Sequence, residues 1–167
     1  SHDELWEKTL VVASFGKTFH ATGWKLGYCI APAPLTVEFR KVHQFTTFAV
    51  STPMQYGVAD FLRSDPDFYL NLPAFYQEKR DHFCSLLENS RFRLKPARST
   101  FFQILDSGDV RDEEDLALAK RWTREIGVAS IPLSVFCETP FTGTRLRFCF
   151  AKDDATLADA AERLRAI

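Results

Sequence analysis

No CxxC pair and no nearby histidine cluster accompanies the four cysteines at 29, 84, 137 and 149, which argues against a zinc site and a dense disulfide framework. No metal is expected, and a reducing, cytoplasmic setting fits this cysteine usage best. No block of like charge exceeds four residues, and 21 basic residues stand against 22 acidic ones for a formal net charge of −1. Nucleic acid and anionic membrane surfaces are therefore poor partners. No apolar stretch reaches the length of a membrane span, and no charged-then-apolar signal segment opens the chain. An initiator methionine is also missing: the chain starts at Ser1 and runs almost at once into a strand-like segment, as expected of a fragment. What is present is 167 residues, 46% hydrophobic and 14% aromatic, enough for one domain or parts of two.

The order of elements reads as mixed α/β. Residues 9–14 (TLVVAS) form a β-branched run expected to be a fully buried strand, and residues 24–31 (WKLGYCIA) a second strand. Helical spacing follows through Leu35, Phe39, Val42 and Phe45. Another helix is expected at Ser51-Thr52-Pro53, with a hydroxyl capping the first amides, and a long one at Ser64-Asp65-Pro66, kinked at Pro73, with Tyr76, Phe83, Leu86 and Leu87 on one face. Strand-like runs at 92–95 and 100–105 precede an acidic helix start at 112–115 and a helix end at Gly127. Strands at 128–131 and 145–150 lead to a last helix whose apolar face is Leu157, Ala160, Ala161, Leu164 and Ile167. The boundary between two domains, 1–72 and 73–167, is expected inside the long helix.

The stretch VVASFGKTFHATGWKLGYC, residues 11–29, places Lys17 inside a Gly-Lys-Thr tripeptide like the end of a P-loop. A P-loop needs a second glycine five positions before the glycine of that pair, so that backbone amides can curl around a phosphate. That position is Val11, inside the strand, and the P-loop reading fails. The other reading starts from Ser14, three residues before Lys17, and Lys25, eight after it. If the chain doubles back after Gly16, a hydroxyl and a second cation converge on one anion beside a reactive amine, a site for a phosphorylated aldehyde that condenses with lysine.

The segment SFGKTFHATGWKLG resembles the Schiff-base lysine segment of class I/II pyridoxal-phosphate aminotransferases of fold type I. In this form it is most similar to methionine aminotransferases and their kynurenine and glutamine transaminase relatives. The similarity extends through VHQFTTF, STPMQ and RLRFCFAK. The resemblance implies an α/β fold: the end of the large cofactor domain followed by a small α+β C-terminal domain. It further implies pyridoxal 5′-phosphate as cofactor, Lys17 as the aldimine lysine and Ser14 and Lys25 as phosphate ligands. Lys25 stands where the wider class has arginine, which keeps the charge but not the two-pronged grip. His20 stands where a small residue is usual, and both it and His43 read as packing residues.

A transaminase must hold the α-carboxylate common to its amino-acid and 2-oxo-acid substrates, and arginine is suited to that. Arg145 and Arg147 share a strand face by alternation; the resemblance selects Arg147. Residues 98–102 (RSTFF) match a stretch with glycine where Ser99 stands, and the two phenylalanines read as pocket lining or core. The expected activity is transfer of an amino group from an L-amino acid, methionine or aromatic, to a 2-oxo acid in a homodimer. The resemblance is to less than half of such an enzyme, its C-terminal portion, so the fragment alone is expected to be inactive. A C–S β-lyase and a non-catalytic aminotransferase-like sensor domain are the alternatives.

Overall fold

The computed structural model describes residues 3–108, 113–139 and 143–167. The chain divides into two compact units, Ser1–Leu70 and Asn71–Ile167.

In the first unit, helix α1 (Asp3–Trp6) leads to strand β1 (Val11–Ser14), which pairs antiparallel with β2 (Gly27–Ile30). Val11 lies opposite Ile30 and Ser14 opposite Gly27. The connection holds a short helix, α2 (Phe15–Thr18), and a 3-10 turn, Thr22–Trp24. Helices α3 (Ala33–Thr46) and α4 (Thr52–Ser64) follow, with Pro34 and Pro53 in their first turns, where a missing N–H costs nothing. The expected hydroxyl cap at Ser51 does not form; its carbonyl accepts from Gln55 N at 3.1 Å as the first bond of the helix.

The expectation of a buried first strand is also corrected. Val12 is 75% exposed and Val11, Tyr28 and Ile30 are exposed beside it. A β-branched run specifies extended backbone, but burial needs a covering layer, and among the described residues β1 and β2 pair only with each other. The apolar face of α3 is similarly bare, with Phe45 87% exposed. Leu26 and Val58 are the buried hydrophobic residues of this unit among those described. Its remaining packing is aromatic: Phe19 meets Phe61, Phe68 and Tyr69 with ring centroids 5.5, 6.0 and 6.5 Å away.

Helix α5 (Pro66–Leu86) starts where Asp65 Oδ1 accepts from Phe68 N at 3.1 Å and continues through Pro73. The second unit then adds β3 (Arg93–Leu94), β4 (Phe102–Asp106), α6 (Asp115–Glu125), β5 (Ile131–Pro132), β6 (Arg145–Cys149) and α7 (Asp154–Arg165). The strands form one antiparallel sheet in the order β3-β4-β6-β5. Alternation sends Leu105, Leu146 and Phe148 into a core with Phe83 of α5, Leu87 just after it, Leu118 and Trp122 of α6, and Leu157, Ala161 and Leu164 of α7. Gly127 ends α6 in the left-handed conformation (φ +75) that glycine adopts freely, its N–H bonding Trp122 O at 3.0 Å. The expected acidic start is realised at Asp115, Asp112 lying outside the described residues. Strand β5 is shorter and later than the expected 128–131 run.

Candidate functional site

Lys17 sits where β1 turns into α2. Ser14, the residue before that helix, accepts from Gly16 N at 3.0 Å through its hydroxyl, which also lies 3.4 Å from Leu26 O. Phe15 N donates to Leu26 O at 3.1 Å, and Thr22 Oγ1 donates to Gly16 O at 3.2 Å, so the turn is tied to the returning chain. Two glycines permit that closeness. A Cβ on Gly27 would lie 2.5 Å from Ala13 O, and one on Gly16 would lie 3.0 Å from Thr22 Cα.

Lys25 immediately precedes the buried Leu26, with a left-handed backbone (φ 55). Ser14, Lys17 and Lys25 therefore share one end of the two-stranded ribbon. Both lysines are exposed, and neither makes a hydrogen bond or ion pair among the described residues. An unpaired amine, a second cation and a hydroxyl at one strand end can hold a dianion beside a nucleophilic nitrogen. This donor set fits a phosphorylated aldehyde.

His20 also has positive φ (54) and lines a cavity of about 330 Å³ with Phe19, Trp24, Val58, Phe61 and Phe68. His43 stacks against Phe39 at 5.7 Å, as a packing residue does. The cysteines are free; burial pushes the Cys84 thiol up from its ordinary range, away from nucleophile behaviour. No group of metal-ligating side chains forms among the described residues.

In the second unit the two arginines of β6 share the outer sheet face but not their surroundings. Arg145 Nε lies 3.4 Å from Asp106 Oδ2, directly across the ladder. Arg147 has no carboxylate partner among the described residues. Its guanidinium carbon lies over the rings of Phe102, at 4.1 Å, and Phe136, at 5.1 Å, and its buried Nε lacks a hydrogen-bond partner. A cation kept by rings rather than acids retains its in-plane donors for a planar anion. Phe102 therefore faces Arg147, while Phe101 packs against the core. Phe136 went unrecognised in the sequence because a lone aromatic in a 3-10 turn carries no periodic signal. Next to Ser99, it is Thr100 that takes the left-handed conformation (φ 71), its hydroxyl accepting from Phe102 N at 3.1 Å.

Residues 2–164 match the family described as Aminotransferase class I and II. The chain is 50% identical over 165 residues to the methionine aminotransferase of Escherichia coli, covering 99% of this chain and 43% of that protein. It is 31% identical to kynurenine–oxoglutarate transaminase 1 of Homo sapiens, over 96% of this chain and 43% of the other. Among solved structures, an Escherichia coli protein with a methionine aminotransferase function superimposes with a TM-score of 0.94 at 50% identity. That match covers 99% of this chain and 44% of the other. The N-succinyldiaminopimelate aminotransferase of Mycobacterium tuberculosis gives 0.87 at 28% identity, with coverages of 99% and 44%. The chain thus spans less than half the length of these relatives.

Proposed function

The chain belongs to aminotransferase class I and II, and from that membership we propose that it is part of a pyridoxal-phosphate transaminase that moves an amino group from an L-amino acid, methionine or aromatic, to a 2-oxo acid. The observation that carries the reading is the unpaired Lys17 in a glycine-tightened turn with Ser14 and Lys25 at the same ribbon end.

Pyridoxal phosphate, when bound, supplies a carbonyl that condenses with amines and a ring that takes up the electron pair left on the substrate α-carbon. Lys25 and Ser14 would hold its phosphate, the first as a point charge and the second through its hydroxyl. Lys17 would carry the group and, with its amine free, would take the proton from the donor's α-carbon through Nζ and pass it to the cofactor, and would run the transfer in reverse for the 2-oxo acid. Arg147 would grip the carboxylate shared by donor and acceptor, its Nη edge matching two carboxylate oxygens. Because the amino group would stay with the enzyme between two half-reactions, donor and acceptor would follow ping-pong kinetics. A homodimer in the cytoplasm belongs to the same proposal and rests on the family and on the four free cysteines.

The test is 2-oxo-acid production from methionine, phenylalanine or a cysteine S-conjugate, whose β-sulfur a lyase can expel, by the full-length protein, with and without an added 2-oxo-acid acceptor. Transamination requires the acceptor; product without it would identify a C–S lyase instead. Replacing Lys17 by alanine abolishes the acceptor-dependent product.

A further inference from the structure

We propose that Phe102 and Phe136 are positioning residues for carboxylate recognition, their rings holding the Arg147 guanidinium in one orientation before substrate arrives. This rests on Arg147 as the carboxylate ligand and adds what keeps that side chain poised without an acid beside it.

The two rings come from the two flanks of β6. Ile104 faces Arg147 across the β4 ladder, and Phe102, two residues along β4, shares that face. On the other flank Ile131 of β5 faces Arg147, and the chain leaving β5 turns at once into the 3-10 turn Ser134–Phe136. That turn is pinned. Ser134 donates from N to Asp115 Oδ2 at 2.9 Å and from Oγ to Asp115 Oδ1 at 2.5 Å, and Asp115, at the start of α6, is 4% exposed. Leu133 N donates to Arg145 O at 3.1 Å, and Phe136 N donates to Leu133 O at 3.0 Å.

Phe136 is thus fixed in place, and it is not among the residues of this unit's core. Its one cation partner among the described residues is Arg147. A ring face attracts the guanidinium through its quadrupole but accepts no in-plane N–H, whereas an acid such as the Asp106 beside Arg145 would occupy those donors. The rings therefore hold the long side chain still and leave its recognition edge unoccupied, which lowers the ordering cost of binding.

The experiment is steady-state kinetics of the full-length protein with an amino donor and a 2-oxo acid, together with competitive inhibition by 3-phenylpropionate, which offers a carboxylate and no amine. Because the carboxylate is common to all three, Phe136→Leu raises both KM values and the inhibition constant by one factor, about tenfold. kcat stays within about twofold. Phe102→Leu acts in the same direction. Phe136→Tyr, which keeps the ring, brings the three constants back towards the parent values. In an Arg147→Gln background, Phe136→Leu adds nothing further.

If Arg147→Gln itself leaves KM and inhibition unchanged, the reading of Arg147 fails. If Arg147→Gln weakens all three constants while Phe136→Leu and Phe102→Leu leave them unchanged, only the positioning role is overturned. A shift for one substrate alone also overturns it, since that marks a side-chain pocket. Circular dichroism of each variant checks that folding is intact.

Discussion

Two arginines two residues apart on β6 divide the work of a cation. Arg145 is half-exposed and ion-paired with Asp106, a surface arrangement worth about 0–1 kcal/mol. Arg147 is held by two rings and keeps its donors open. Arg145→Ala should therefore change KM for donor and acceptor less than about threefold. Arg147→Ala should raise both roughly a hundredfold or more, as loss of a charged anchor does. Initial-rate measurements on the full-length protein check the contrast; equal effects would place the carboxylate elsewhere. The sequence pattern shows that both arginines share a face, yet it cannot tell them apart, because what separates them is a cross-strand acid and a ring from a distant turn. The surroundings of Lys17 can be read further from the sequence because they are local: Ser14, Gly16 and Lys25 all lie within eight residues of it.

At the scale of elements, the β1–β2 ribbon depends on a glycine that has no positive φ. Gly27→Ala drives a methyl group to 2.5 Å from Ala13 O, so the strands must part and the lysine turn with them. The expected cost is about 1–3 kcal/mol. It is read as a lowered unfolding temperature of the full-length protein together with weaker binding of pyridoxal phosphate. At the far end of the chain, Asp153 caps α7, its carboxylate accepting from Thr156 N and Oγ1 at 2.8 Å each. The bond from Thr156 N, first, and its hydroxyl, second, hold the Asp153 carboxyl below its ordinary range. A carboxyl depressed in the folded state stabilises fully above the unfolded value and loses that contribution as pH falls through the folded one. Asp153→Asn should accordingly lower the unfolding temperature at neutral pH, with the gap to the parent closing as pH drops below the ordinary carboxylate range. The helical faces of α5 and α7 were legible because their partners are one packed core; Tyr76, Phe83, Leu86, Leu157 and Leu164 all meet it. The absence of a Ser51 cap was not legible, since Ser51-Thr52-Pro53 signals a helix start without fixing whether a hydroxyl turns towards the first amides.

At the scale of the whole molecule, the two units differ in self-sufficiency. Residues 71–167 bury a continuous core from α5, α6, α7 and one face of a four-stranded sheet. Residues 1–70 leave Val12, Phe45, Phe48 and Tyr56 mostly exposed and bury little, below what an independent fold of that size requires. Expressed separately, 71–167 should unfold cooperatively in urea, whereas 1–70 should show no transition and bind a hydrophobic dye; the reverse would contradict this division. A run such as TLVVAS specifies extended backbone from its own residues, whereas its burial depends on a covering layer that the described residues do not supply; the chain spans 43% of its Escherichia coli relative. Lys17 is the centre of the proposed chemistry. Borohydride reduction of the full-length protein with pyridoxal phosphate, followed by peptide mass mapping, should find the fixed group on Lys17 alone, and on no lysine after Lys17→Ala. A group fixed at Lys25 or elsewhere, with Lys17 unmodified, would contradict it.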